Sequence, residues 1–281
     1  MHSEIEGVRM RDKCFCCNGE FKLKYNLDKY RLLKCKTCGS AFIFPRLTDD
    51  EVEATYTEEY FSDSYYKDYL ETGKPYMERI FKQLKSEGIV KPAREMLDIG
   101  CASGYLLYLM KNEGLKVLGV EMAEHWNKYA KENYSIEILT GDFTKSEIKQ
   151  RFDFITMFHV LEHIVDIPEA IKELGELLKD GGLIIIEVPY INGIGSILKG
   201  KNWSQLNPPN HINFFTKKGF RLLFHNAGFQ IEKISTNSYN SQSIIQSFPK
   251  MLRWAATIFI GIFTFFGFGG NLRVYVKKKG K

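Results

Sequence analysis

The chain has 281 residues, 44% hydrophobic and 26% charged, with a formal net charge of +5. Such a chain is expected to be globular, with about two domains at ~150 residues each and a core large enough to hold without disulfides. A disulfide-stapled secreted scaffold, a collagen and a multi-span membrane protein are excluded. Met1 to Glu6 contain no apolar run, so no secretory leader is expected. The six cysteines are then expected to serve metal or thiol chemistry in a reducing, cytoplasmic compartment. Residues 1–46 carry ten Lys/Arg against five Asp/Glu, Asp49 to Glu71 nine acids against Lys67 alone, and Lys250 to Lys281 seven bases and no acid. A nucleic-acid surface would be basic throughout, so nucleic acid is not the expected partner, and the basic tail is the part that suits an anionic one.

The first unit, 1–46, contains Cys14-x-x-Cys17 and Cys35-x-x-Cys38, with seventeen residues between the pairs. Two residues between cysteines let one turn aim both sulfurs at a tetrahedral ion, and four thiolates leave no open position, which predicts a structural zinc. Cys16 breaks that spacing and is expected to be a spectator. Phe21 to Tyr25 and Tyr30 to Leu33 alternate like paired strands, completing what looks like a zinc ribbon. Residues 47–90 form an acidic, Tyr-rich connector, with six tyrosines and Phe61 between Asp49 and Tyr76. Its aromatics would either pack on the core or form a lid whose rings and hydroxyls suit a sugar.

From residue 91 onward strand and helix patterns alternate, which argues a parallel sheet covered by helices. Arg94 to Ile99 reads as a buried strand, Gly100-Cys101-Ala102-Ser103-Gly104 as a turn, and Tyr105 to Lys111 as a helix. The strand Lys116 to Val120 ends in Glu121; a third, Ile136 to Leu139, is followed by Gly141-Asp142-Phe143. A glycine-rich turn brings backbone close to a ligand at a helix N-terminus, and an acid at the tip of the second strand accepts ribose hydroxyls. A further acid and ring, Asp142 and Phe143, would grip an adenine.

These residues resemble class I S-adenosylmethionine-dependent methyltransferases. Leu97-Asp98-Ile99-Gly100-Cys101-Ala102-Ser103-Gly104 is similar to their first motif, with Ala102 in place of the usual middle glycine. Glu121 matches the ribose-binding acid and Asp142 the adenine-binding acid. Phe152 to His163, ending Leu-Glu-His, resembles the fourth strand, and Leu178 to Ile186 the run into the fifth. The resemblance implies an α/β Rossmann-like sheet of seven strands, mostly parallel with the last antiparallel. It implies S-adenosylmethionine as cofactor, held by Asp98, Gly100, Ala102, Gly104, Glu121, Met122, Asp142, Phe143 and Phe158. Members with a ribbon and a Tyr-rich segment act on sugars or glycans, and there His211, in His211-Ile212-Asn213-Phe214-Phe215-Thr216, would face the acceptor.

His159-x-x-Glu162-His163 spells a zinc-peptidase pattern, but that chemistry needs both histidines on one helix, and His159 is expected to close a strand. In the similar ubiquinone-pathway O-methyltransferases, acids and a His at this position hold a divalent cation. The following helix is expected to be capped by Asp166 with Pro168 in its first turn. Near the end, Trp254 to Gly270 is a run of 17 uncharged residues, within a hydrophobic insertion (241–270) before a final strand from Leu272 to Lys277. As one helix the run would measure about 26 Å against a hydrocarbon core of ~30 Å, and a span would cut the last strand off from the sheet. The insertion is therefore expected to be a loop or helical hairpin that touches the inner face of the membrane through 250–281, with a dimer face or an ordinary core helix as the alternatives.

The expected function is methylation of a hydroxyl or carbon on a small-molecule or lipid-linked sugar, with His159, His163 and His211 as candidate bases. Two other readings stay open: an RNA methyltransferase using the ribbon's bases as its RNA module, and a non-catalytic membrane-associated adaptor.

Overall fold

The computed structural model describes residues 13–54, 63–238, 245–246 and 249–278. Tyr56, Tyr60 and Phe61 of the connector, and part of the insertion and basic tail, lie outside them. The ribbon contributes strands β1 (Phe21–Leu27), β2 (Tyr30–Cys35) and β3 (Ala41–Phe44), all antiparallel. Its sheet is completed from far along the chain by β9 (Asn213–Phe214), which pairs with β3. The connector forms a short helix α1 (Asp49–Glu53), closed by a Thr48–Glu51 capping box, and a long helix α2 (Asp63–Ser86).

The main sheet is built from β4 (Glu95–Ile99), β5 (Lys116–Glu121), β6 (Ile138–Thr140), β7 (Phe152–Phe158), β8 (Leu178–Pro189), β10 (Phe229–Asn237) and β11 (Asn271–Lys278). They lie in the order β10-β11-β8-β7-β4-β5-β6. All neighbours are parallel except at β11, which runs antiparallel to both β8 and β10. Helices α3 (Tyr105–Asn112), α4 (Glu124–Tyr134), α5 (Ile167–Leu177), α6 (Ile194–Lys199) and α7 (Lys217–Asn226) fill the connections. Asp166 caps α5 by accepting from the Glu169 N–H, with Pro168 in the first turn, and Thr216 caps α7 by accepting from the Gly219 N–H.

Helices on both faces of a parallel sheet bury its strands from both sides, which is why they read as continuous apolar runs. Alternate residues go to opposite cores: Leu97, Ile155 and Ile184 face α5 and α7, while Met96, Phe154 and Ile185 face α2 and α3. The ribbon's cysteines belong to the first of these cores. In the described part of the insertion, residues 245–246 are helical, and after a short 3₁₀ turn at Lys250–Leu252 a helix, α8, runs over Arg253–Phe265. It starts beyond Pro249 and ends before Gly267, whose positive φ breaks the helix.

Among the strand residues that depart from the apolar pattern, one gathers partners from several elements. Glu187, fully buried in β8, accepts hydrogen bonds from Tyr76 Oη (2.6 Å), Asn271 Nδ2 (2.7 Å), Asn237 Nδ2 (2.8 Å) and Arg273 Nε (2.6 Å). Burial alone would push this carboxyl up, but His159 and Arg273 hold it down at about 2. Removing the cation while leaving the buried anion is the costly half of such a pair. Arg273→Met is therefore expected to destabilise the fold by about 3–5 kcal/mol, measured by urea unfolding, whereas removing the exposed Lys172–Glu169 pair should leave the unfolding midpoint nearly unchanged.

Candidate functional site

Parallel strands deliver their carboxyl ends to one rim of the sheet, and the chain turns into helices there. At the end of β4, Gly100 has φ +68°, and a Cβ on it would collide with the Val160 side chain. Gly104 has φ +71° at the start of α3, and Ala102 itself adopts φ +43°. The turn is pinned by the Gly100 N–H to the Val120 carbonyl (2.8 Å) and the Ala102 N–H to Glu121 Oε2 (2.9 Å). Glu121 Oε1 accepts from the Ala123 N–H at 3.1 Å. Burial raises the Glu121 carboxyl against these backbone N–H groups. Next along the rim, Asp142 Oδ1 accepts from the Thr144 N–H and hydroxyl, both at 2.9 Å, beside buried Phe143.

A cavity of ≈ 690 Å³ opens along this rim, and Gly100, Ala102, Glu121, Met122, Asp142, Phe143 and Phe158 all line it. The crevice beside Gly100 is open, with the Glu121 carboxylate in its wall. Asp98 and Gly104, expected among the cofactor contacts, are not part of the lining. Asp98 is buried behind it and accepts from Thr156 Oγ1 at 2.6 Å. Burial pushes its carboxyl up to about 7, with the Glu121 charge adding to the effect and Thr156 opposing it. Gly104 instead packs against the side chains of Ala130 and Ile138. The connector also reaches the cavity: Asp49 and Val52 from α1 and Thr72, Gly73, Tyr76 and Met77 from α2 line it. Tyr76 itself is buried and tied to Glu187.

The same cavity holds the three histidines. His159 follows β7 with φ +58°, and Leu161–His163 is a short 3₁₀ turn, so the two ends of the peptidase-like pattern share no helix. His159 Nδ1 lies 3.3 Å from Glu162 Oε1 and Nε2 lies 3.6 Å from Glu187 Oε1. Burial would lower its pKa, but the two carboxylates outweigh it and raise the imidazole to about 10. His159 is therefore a cation at neutral pH. His211 goes the other way: burial, and then the neighbouring charge of His163, bring it down to about 4. Its Nδ1 lies 2.8 Å from the Gln205 carbonyl and His163 Nδ1 lies 2.7 Å from the Asn210 carbonyl. A carbonyl only accepts, so each ring keeps a proton on Nδ1, and the low pKa of His211 leaves its Nε2 with a lone pair at neutral pH.

The two rings are 4.8 Å apart, and Glu162 is buried beside them. Burial would raise the Glu162 carboxyl, but His159 and the charges of His163 and His211 hold it low. Neither Glu162 oxygen accepts a hydrogen bond among the described residues. Glu162, His163 and His211 each bring one donor atom, all within 4.8 Å of one another, a set able to hold a divalent cation.

Sequence reasoning missed Glu187, Gln205 and the pairing of Glu162 with His211. A single charge inside Leu183-Ile184-Ile185-Ile186-Glu187-Val188 was the available signal for the first. The others depend on chain segments that meet only in the fold.

The four expected ligand cysteines do converge. Cys14 Sγ and Cys38 Sγ are 3.5 Å apart, Cys17 Sγ and Cys35 Sγ 3.6 Å, and all four sulfurs lie within 4.8 Å of one another. Thiolates on a tetrahedral zinc, each at about 2.3 Å, would be spaced at close to these distances. The Thr37 and Cys38 N–H groups point at Cys35 Sγ (3.3 and 3.4 Å), as a thiolate ligand needs. Cys16 contacts Ser40 Oγ. The donor set fits zinc.

This centre braces the histidine cluster through the shared sheet. Thr216 Oγ1 donates to the Cys38 carbonyl (2.7 Å), and the Ile43 N–H to the Ile212 carbonyl (3.0 Å). The Ile212 N–H in turn donates to the Glu162 carbonyl (3.0 Å), and Arg46 reaches Asn213 Oδ1 at 3.2 Å.

A family model described as "methyltransferase domain" matches residues 69–234. Among curated proteins, a ubiquinone biosynthesis O-methyltransferase of Coxiella burnetii is 37% identical over 106 residues, covering 34% of this chain and 43% of that protein. One of the same name from Pelagibacter ubique is 32% identical over 118 residues, covering 39% and 48%. The chain thus spans about half the length of the curated relatives it matches. Among solved structures, a SAM-dependent methyltransferase from Archaeoglobus fulgidus aligns with TM-score 0.52 at 21% identity, over 72% of this chain and 94% of that one. Magnesium protoporphyrin IX methyltransferase from Synechocystis, with bound SAH, aligns with TM-score 0.53 at 16% identity, over 76% and 86%. At these identities the solved structures share the fold.

Treatment with a thiol reagent and chelator, which would clear the four cysteines of a metal they could hold, is expected to raise amide hydrogen exchange at Ile212 to Phe214, leaving β4 and β5 protected. Unchanged exchange at Ile212 would mean that the ribbon does not support the histidine segment.

Proposed function

Because the chain belongs to the methyltransferase-domain family, we propose that it transfers the methyl group of S-adenosylmethionine to a hydroxyl oxygen, that of a sugar or glycan intermediate, free or lipid-linked. The observation that carries this reading is the presence, in one cavity, of a glycine-turn crevice closed by Glu121 and a neutral His211. The cofactor, when bound, supplies a methyl already activated on a sulfonium. What remains for the chain is to hold the acceptor oxygen in line with it and to take the hydroxyl proton.

His211 suits the second task because its Nδ1 proton is committed to Gln205, leaving Nε2 free to accept. His159, held as a cation by Glu162 and Glu187, suits charge stabilisation instead of proton removal. Glu121 suits a ribose diol and Asp142 with Phe143 an adenine, since all three line the crevice next to the Gly100 turn. Support for a polyhydroxylated acceptor comes from the remaining lining, in which Thr72, Gln205, Asp166 and Glu169 bring polar side chains. The acids in that set, with Asp49, also disfavour a phosphodiester backbone such as RNA. The similarity to O-methyltransferases supports oxygen over carbon as the acceptor.

A second reading rests on Glu162, whose Oε1 faces His159 Nδ1 at 3.3 Å but whose oxygens accept no hydrogen bond among the described residues. A divalent cation held by Glu162, His163 and His211 would lower the pKa of the acceptor hydroxyl. Activity that survives EDTA favours the imidazole base; loss with EDTA and recovery with magnesium favours the cation.

Two outcomes are expected. Glu121→Ala abolishes calorimetric binding of S-adenosylhomocysteine while bound zinc is retained; unchanged affinity would remove the ribose assignment. His211→Ala lowers kcat by about 10²–10⁴-fold with cofactor affinity intact. A base works only when deprotonated, so with His211 at about 4 the wild-type rate should hold from neutral pH down to about 5 and fall as pH approaches 4. An acid limb near 6.5 would point to a different base.

A further inference from the structure

α8 is apolar on every side. Ala256 and Ile260 are buried, and Ile260 shares a small core with Ile194 of α6. At helical intervals on the other side, Trp254, Ile258, Ile262 and Phe265 are 68, 55, 50 and 86% exposed. Ile197 and Leu198 of α6 are exposed too, as are Met251, Leu252 and Phe266 at the ends of α8. A helix apolar all round belongs inside a core or against lipid, and an exposed patch of this kind marks an interaction surface. The helix has 13 residues, a length of about 20 Å. No described helix is long and apolar enough to cross a membrane.

The surrounding charge chooses between occupants. Residues 188–281 contain thirteen Lys/Arg and one acid, Glu232. Lys250, just before α8, and Lys201, just after α6, are exposed at the borders of the patch. A symmetric pair of chains meeting through this face would set like charges against like. An anionic bilayer meets both features at once: acyl chains for the rings and phosphates for the lysines.

We propose that α8 and the outer side of α6 form a docking surface for anionic phospholipid membranes. The helix lies in the plane of the interface, with Trp254, Ile258, Ile262 and Phe265 among the upper acyl chains and Lys201 and Lys250 at the headgroups. Docking does not depend on the reaction assigned to the cavity.

The test is flotation of the full chain with vesicles of phosphatidylcholine alone or mixed with phosphatidylglycerol. Binding is expected with the mixed vesicles and about tenfold less with the neutral ones. Ile258→Ser with Phe265→Ser should abolish flotation, and Lys201→Glu with Lys250→Glu should weaken it, both with an unchanged thermal midpoint. The charge pair keeps the test valid should the serine pair fold poorly. Failure of the wild-type chain to float, equal flotation on both vesicles, or serine variants that float normally would overturn the proposal. So would light scattering that shows a wild-type dimer which the serine pair converts to monomers, since the patch would then join two copies.

Discussion

A buried, ionised carboxylate sets the arrangement of the histidine side of the cavity. Glu187 sits where a parallel strand would ordinarily carry another aliphatic side chain, and moving such a charge out of water costs several kcal/mol. Four donors from α2, β10 and β11 offset that cost. The carboxylate therefore ties the long connector helix, the antiparallel strand and the last parallel strand to one point. Its field also reaches His159, which with Glu162 on its other side stays protonated. Two imidazoles in one cavity thus have opposite charge states for a physical reason. His159 lies between two carboxylates, whereas His211 is buried beside another imidazole.

The ribbon is better understood as part of this arrangement than as an appended module. Its sheet takes β9 as its fourth strand, and its cysteines are packed into the main core. A two-residue strand such as β9 has little intrinsic stability. It gains order from β3 on one side and, through Ile212, from the Glu162 turn on the other. His211 lies two residues before that strand, so its position depends on a sheet beside which four cysteine sulfurs gather. The cysteine cluster and the position of His211 are connected through a few hydrogen bonds to the backbone.

How much of this could be read from residues alone follows the range of the interactions. The glycine turn, Glu121, Asp142 with Phe143 and the paired cysteines are local: each is a turn geometry written in five or fewer neighbouring residues, and the structure brings each group together. Strand and helix types were legible wherever the apolar period was long, with ends displaced by a residue or two, as for β6, read from Ile136 and observed from Ile138. Asp98 was legible as part of a motif but not as a group turned away from the cavity toward Thr156. The Glu187 network and the Glu162–His163–His211 cluster were not legible, since their members are separated by tens of residues and meet only through sheet order. The insertion announced its hydrophobicity, and among the described residues Pro249 and Gly267 bound the helix α8 within it.

Sheet order also explains why the apolar helix emerges where it does. β10 is antiparallel to β11, which is antiparallel to β8, so β10 and β8 point the same way and end together at Asn237 and Pro189, both beside Asn271. Any segment inserted between β10 and β11 must leave and re-enter at the carboxyl rim of the sheet, the rim that also carries the Gly100 turn and the histidines. A reversed last strand thus places a hydrophobic insertion beside the ligand crevice instead of on the far side of the domain. With α8 docked on a bilayer, the cavity would open close to the headgroup layer. That placement offers nothing to an acceptor dissolved in the bulk and shortens the path for one anchored by a lipid tail, so the lipid-linked form of the proposed acceptor is the one the topology favours.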